Sequence, residues 1–221
     1  MSIDPRAVID TTFGPVDIAE SAVIEPFACL HGPLRVDEGA RVGAFSVVGA
    51  TPKKRGAARQ GLVQLGPDCE ISEHVVIEAP TTLTGTSIGA RTLILPFVFV
   101  GHDLQCGPDV TIAAHTSIGG LVGIDEGASI GMAATIYPRV RVGAYAMIGT
   151  HASVVEACRA FGVFLGAPAK FQKVNSHAFE RAGISDIERL QVLQIWAYGD
   201  VELTERLQRW FHPLAPVETS R

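Results

Sequence analysis

The chain has 221 residues, 47% of them hydrophobic, and a formal net charge of -5 from 18 Lys and Arg against 23 Asp and Glu. That is enough to bury one elongated core plus a small appendage, and the acidic balance excludes a general nucleic-acid binder, whose phosphate contacts need a basic face. The most apolar stretch, 93–100, is far too short to span a bilayer, and the first residues lack the charged-then-apolar layout of a signal peptide, so a cytoplasmic protein without a transmembrane segment is expected.

In chain order, an apolar residue first recurs every six positions at Ile18, Ile24, Leu30, Val36, Val42 and Val48. The period resumes in a shifted phase at Leu65, Ile71 and Ile77, breaks again, and then runs without a miss through Ile88, Ile94, Val100, Cys106, Ile112, Ile118, Ile124, Ile130, Ile136, Val142, Ile148 and Val154. Gly or Ala follows most of these residues. A period of six fits neither the 3.6 of a helix nor the alternation of a two-faced strand. It predicts a mainly β fold, a parallel β-helix of hexapeptide repeats over residues 1–165, in which three hexapeptides make one triangular coil and the aliphatic residues stack into a column. The two breaks predict loop insertions near 51–63 and 79–87. The first carries Lys53, Lys54, Arg55 and Arg59; the second is rich in Thr and Gly. Both are expected to leave the coil, where function is usually carried on a rigid scaffold.

The period stops near Ala157, and Gly166-Ala167-Pro168 marks the change. Residues 166–221 are expected to form a short C-terminal α-helical region. Ser185-Asp186-Ile187-Glu188 is a capping box, which predicts a helix over 186–198 ended by Gly199. Leu203, Leu207 and Trp210 predict another over 201–211, stopped by Pro213, with a frayed end beyond. Cys29, Cys69, Cys106 and Cys158 form no C-x-x-C pair and read as reduced, structural thiols.

Residues eighteen apart lie above one another in such a coil. His102, Gly120 and Pro138 then form one stack, and Asp103, Leu121 and Arg139 the next. Gly101-His102-Asp103 is expected to be an exposed turn carrying a base beside a carboxylate, with a glycine one coil away whose N–H can approach a ligand closely. Such a set can deprotonate a nucleophile and stabilise an oxyanion. A lone His-Asp dipeptide on a turn is usually no more than a solvated hydrogen-bonded pair. His31, His74, His115, His151, His177 and His212 have weaker claims, and with no three converging at ligand spacing no metal site is expected. No strand-flanked G-x-S-x-G, P-loop or dinucleotide fingerprint occurs.

Four segments together resemble the acyl carrier protein-dependent UDP-N-acetylglucosamine O-acyltransferases of lipid A biosynthesis. They are the opening Ile3-Asp4-Pro5-Arg6-Ala7-Val8, the insertion after Val48-Gly49, Gly101-His102-Asp103, and the run from Val174-Asn175 through Arg181-Ala182-Gly183-Ile184-Ser185. The resemblance implies a left-handed β-helix, although the usual crossover preference alone predicts the opposite hand. It implies a homotrimer with sites in the clefts between subunits. It assigns His102 as the general base toward the acceptor hydroxyl, Asp103 as its orienting partner and the Gly120 N–H as oxyanion donor. The hydroxyl would attack the acyl thioester directly, with no covalent acyl-enzyme, cofactor or metal. Asn175 and Arg181 match positions that contact the nucleotide; on their own they read as a helix cap and a surface cation.

The chain also departs from that pattern. Phe99, Leu121 and Tyr137 stand where the family usually has further histidines, Pro138 stands for a Gln, and Lys54 stands where an acidic residue helps seat the sugar. Thr150 occupies the acyl-length gate, commonly Gly, and its side chain should shorten the groove. A paralogue that keeps the catalytic pair and acts on another sugar nucleotide is expected. The basic cluster, with Lys170 and Lys173, suits an acidic acyl carrier protein or the phosphates of coenzyme A or a nucleotide, and suits a solvated loop as well. Gly166-Ala167-Pro168-Ala169-Lys170 resembles a turn of coenzyme A-dependent hexapeptide acetyltransferases. Three readings follow: acyl transfer from acyl carrier protein to a hydroxyl or amine of a UDP-sugar, short-chain acyl-coenzyme A-dependent sugar acetylation, or a non-catalytic trimeric hexapeptide binding or scaffold protein.

Overall fold

Six-residue periodicity becomes architecture in the simplest way, each hexapeptide making one short strand and one tight turn. In the computed structural model, which describes residues 2–199 and 201–211, the strands form three parallel sheets. Ile112 pairs with Ile130, Ile118 with Ile136 and Ile124 with Val142, so each residue lies one 18-residue coil from its partner. The chain is a three-sided parallel β-helix. For clarity the faces are called the first (Thr111–Ile112 and its stack), second (Ser117–Ile118) and third (Gly123–Ile124).

Every residue of the sixfold series from Ile24 onward is buried, and Ile18 packs against the column from its end. Each such side chain contributes about 1.5–3 kcal/mol on burial, offsetting the entropy of ordering so many short strands. The turns repeat as faithfully as the strands. Phe97, Asp103, Asp109, His115 and Leu121, six apart, all have φ between 58° and 63°. That left-handed conformation costs a non-glycine residue on the order of 1 kcal/mol, and the stacked coils above and below enforce it.

Both insertions leave the prism at one corner, between the second and third faces. Val47 pairs with Val76 and Val76 with Phe99, so these two coils are longer than the regular eighteen. At the first of them a β-bulge shifts the register, Val48 facing Ile77 but Ala50 facing Glu78. Gly49 is the extra residue, with φ of 79° and no room for a Cβ beside the His31 carbonyl. Bulges of this kind re-aim the residue that follows them.

The coil continues beyond Ala157, where the sequence period ends. Cys158 bridges Val142, and Gly162–Leu165 pairs parallel with Met147–Ile148 in a shorter step, Met147 to Val163. The chain then reverses, and Lys170–Val174 runs antiparallel along that strand. Three helices follow. Helix α1 (Ala178–Arg181) was not foreseen from sequence. Helix α2 (Asp186–Tyr198) matches its expected bounds, with the Ser185–Glu188 capping box formed and Gly199 at the C-cap. Helix α3 (Glu205–Phe211) is shorter than expected because Thr204 starts it, its hydroxyl accepting from the Leu207 N–H and donating to Glu188. The expected stop at Pro213, the frayed end and His212 lie outside the described residues. These helices cover a second apolar cluster, Ala144, Phe161, Phe179, Ile184, Val192 and Leu207, against the last coil.

Candidate active site

At the corner that carries both insertions, the Asp103 carboxylate accepts a 2.6 Å hydrogen bond from His102 Nδ1. The turn was expected to be exposed; instead Asp103 is 1% exposed and the His102 side chain 13%. The second insertion folds back over the coil, and its two threonines close on the carboxylate. Oδ1 accepts from the Thr82 N–H at 2.9 Å and the Thr82 hydroxyl at 2.8 Å, while Oδ2 accepts from the Thr81 hydroxyl at 2.7 Å. The Thr81 N–H lies within 3.1 Å of both oxygens, and the Asp103 N–H donates to Thr86 Oγ1. Burial opposes the charge on Asp103, but the hydrogen bonds from Thr81, His102 and Thr82 outweigh it and hold the carboxyl below its ordinary range. An ionised Asp103 places the imidazole proton on Nδ1 and leaves the lone pair of Nε2 pointing away from the carboxylate.

The predicted stack is present. Gly120 lies one coil from His102, so close that an added Cβ would press on Nε2 and lie 2.6 Å from Cε1. The Leu121 N–H donates to the His102 carbonyl and the Arg139 N–H to the Gly120 carbonyl. Among the described residues the Gly120 N–H has no acceptor of its own, which leaves it available as a donor on the coil next to His102. Next to it an apolar groove runs up the second face, lined by Phe99, Ile118, Gly119, Ile136, Tyr137 and Pro138. Tyr137 is half exposed there and Leu121 is buried. Lys54 is exposed in the first insertion at this corner.

The remaining predicted residues lie elsewhere on the prism. Arg181 reaches the corner between the third and first faces, donating to the Gly127 carbonyl and lying 3.5 Å from the Ser129 hydroxyl. Asn175 is buried beside it and its amide donates to the Tyr145 carbonyl, so it braces the last coil rather than capping a helix. Thr150 is at the remaining corner, in the turn between Met147–Ile148 and Ser153–Val154. One chain therefore brings together His102, Asp103, Gly120, Leu121 and Tyr137, with Lys54 exposed on the insertion at the same corner, but not Asn175, Arg181 or Thr150. Burial pushes the thiols of Cys69, Cys106 and Cys158 up to about 12, which keeps them protonated and inert.

Sequence reasoning missed Thr81, Thr82 and Glu78. The Thr-rich composition of the second insertion was visible, but its path back over the coil was not.

No family model matches the chain. Among curated relatives, the acyl-[acyl-carrier-protein]--UDP-N-acetylglucosamine O-acyltransferase of Synechocystis sp. is 28% identical over 71% of this chain and 57% of its own length. That of Alkalilimnicola ehrlichii is 29% identical over 68% and 59%, and that of Pseudomonas putida 29% over 87% and 81%. The chain thus spans less than two thirds of the first two relatives. Among solved structures, UDP-N-acetylglucosamine O-acyltransferase from Moraxella catarrhalis superposes with a TM-score of 0.76 at 23% identity, over 95% of this chain and 90% of that one. The Francisella novicida enzyme gives 0.79 at 21% identity, over 88% and 78%. The fold is accordingly a left-handed parallel β-helix with short C-terminal helices. In sequence and in fold the chain is similar to the UDP-N-acetylglucosamine O-acyltransferases, at the distance of a divergent relative.

Proposed function

We propose that the chain is an acyltransferase that moves an acyl group from acyl carrier protein to a hydroxyl or amine of a UDP-sugar. The observation that carries this reading is the His102–Asp103 pair, its carboxylate sealed under Thr81 and Thr82 and its free ring nitrogen beside Gly120. The relatives' names supply the donor and acceptor classes.

In the proposed reaction His102 Nε2 takes the proton of the acceptor hydroxyl as its oxygen attacks the thioester carbon. The negative charge that forms on the carbonyl oxygen is met by the Gly120 N–H, and Asp103 balances the imidazolium. Collapse re-forms the carbonyl, breaks the carbon–sulfur bond, and returns the proton from Nε2 to the departing thiolate. The groove along Phe99, Ile118 and Tyr137 takes the acyl chain. A homotrimer gives the other two corners a part, because a neighbouring subunit can present Asn175, Arg181 or Thr150 to a cleft that one chain leaves incomplete. The exposed Lys53, Lys54 and Arg55 are suited to steer an acidic carrier protein or a nucleotide phosphate. Among the described residues no helix is long and apolar enough to cross a membrane.

The test is a mass-spectrometric transfer assay offering UDP-sugars against acyl carrier protein loaded with chains of graded length, with acetyl-coenzyme A in parallel. Transfer from the carrier protein, reduced about a thousandfold in His102→Ala, is expected. Product from acetyl-coenzyme A alone would move the donor to a short acyl-coenzyme A. Undiminished transfer by His102→Ala would remove the general base from the mechanism.

A further inference from the structure

Glu78 is the second buried carboxylate at the active corner, 2% exposed, and no step of the reaction uses it. It closes the strand Val76–Glu78, immediately after the bulge that Gly49 introduces into the neighbouring strand. Its two oxygens face opposite ways. Oε1 accepts from the Lys53 N–H at 2.8 Å, at the base of the basic first insertion, and Oε2 accepts from the His102 N–H at 3.2 Å. The far end of that insertion is also held. The Gln60 N–H donates to the Pro80 carbonyl, and the Arg59 guanidinium lies 4.3 Å over the Phe13 ring, its Nη1 toward the Gly32 carbonyl. The exposed Lys53, Lys54 and Arg55 therefore sit on a loop anchored at both ends, and one anchor is shared with the backbone of the general base.

We infer that Glu78 is a positioning residue that ties the basic insertion to the His102 backbone and so sets the placement of the imidazole. This rests on the acyltransfer reading. The arrangement is paired: Asp103 gathers the second insertion onto the His102 ring, and Glu78 gathers the first onto the His102 backbone. A carboxylate suits the task because it offers acceptors on both oxygens and has no hydrogen to clash with either donor, whereas an amide can face only one of them with an oxygen. The bulge is what makes the link geometrically available, since in unbroken register Glu78 would pair with Gly49 rather than with Ala50.

The experiment compares wild type with Glu78→Gln and Glu78→Ala in two readouts. Amide hydrogen exchange, which needs no substrate, is followed at Lys53 and His102 and, as internal controls, at Thr81 and Thr82. In Glu78→Gln whichever of the first two amides is left facing the NH2 group is expected to exchange about tenfold faster with the controls unchanged, and kcat to fall about tenfold with a smaller change in KM for the acceptor. Glu78→Ala should enlarge both effects; if it fails to fold, Glu78→Gln decides alone. Unchanged Lys53 and His102 amides, acceleration of all four amides together, or unchanged kcat each overturns the inference. Failure of the acyltransfer reading is separately visible, as transfer that is absent in wild type or indifferent to His102→Ala, while the exchange readout still reports on Glu78.

Discussion

Two corners of the prism are built from the same turn and put it to opposite uses. Between the first and second faces, Phe27, Phe45, His74, Phe97 and His115 occupy the left-handed position of successive coils, and their rings stack with centroids 4.8–5.2 Å apart and nearly parallel planes. That ladder repeats because nothing interrupts the coil there. Between the second and third faces, the equivalent position holds Asp103 and then Leu121, with two insertions, a bulge and two buried carboxylates in the same stretch. Repetition serves stability at one corner, and its interruption builds a polar site at the other. The buried polar cluster thus forms where the sixfold period fails.

The two corners should differ most in their response at Gly120. Replacement by Ala puts a methyl against the His102 ring and must push it out of line with Asp103; transfer should fall about a hundredfold, with a modest drop in the thermal midpoint. A variant with full activity would mean that the His102–Gly120 contact plays no part in the reaction. Next is Asp103→Asn, which should cost about 2 kcal/mol at neutral pH, since the amide cannot accept from both threonines and His102. Because the folded carboxyl is held below its ordinary range, its contribution is present above the unfolded value near pH 4 and fades as the pH falls through the folded one. Melting curves of wild type and Asp103→Asn should therefore converge on acidification, and a gap that stays constant down to pH 2 would contradict the direction of the shift. The smallest effect belongs to the ladder. Phe97→Ala removes two stacked, half-exposed contacts, should cost about 1 kcal/mol in denaturant titration, and should leave transfer untouched. A loss of activity there would show that the ring ladder does more than stabilise the coil.

The column of aliphatic residues was fully legible because it is periodic, and so was helix α2, whose start and stop are encoded in Ser185, Glu188 and Gly199. The stacking of His102 on Gly120 followed from counting eighteen residues along a regular coil. What could not be read was aperiodic. Nothing in the spacing of Thr81 and Thr82 tells which way their loop turns, so a sealed carboxylate was expected to be solvated. The strand Gly162–Leu165 lies inside the expected boundary at 165 but outside the sixfold pattern, because its step to Met147–Ile148 is shortened. Three corners were visible as positions in sequence, but the separation of Arg181 and Thr150 from His102 emerges only when each is assigned to its corner.

The reversal at Lys170–Val174 carries a consequence for how such molecules coexist. A stack of parallel strands ends in a row of unpaired backbone donors and acceptors, and any other copy of the same stack is a matching template for it. Turning the chain back gives that row an antiparallel partner from within, and Trp196 of α2 then lies flat on Phe171 at 4.0 Å, fastening the partner down. Growth at this end would first have to peel off the hairpin and uncover the aromatic cluster beneath. On the first face the outermost strand therefore runs against the direction of the coil, and a further parallel turn finds no matching edge there.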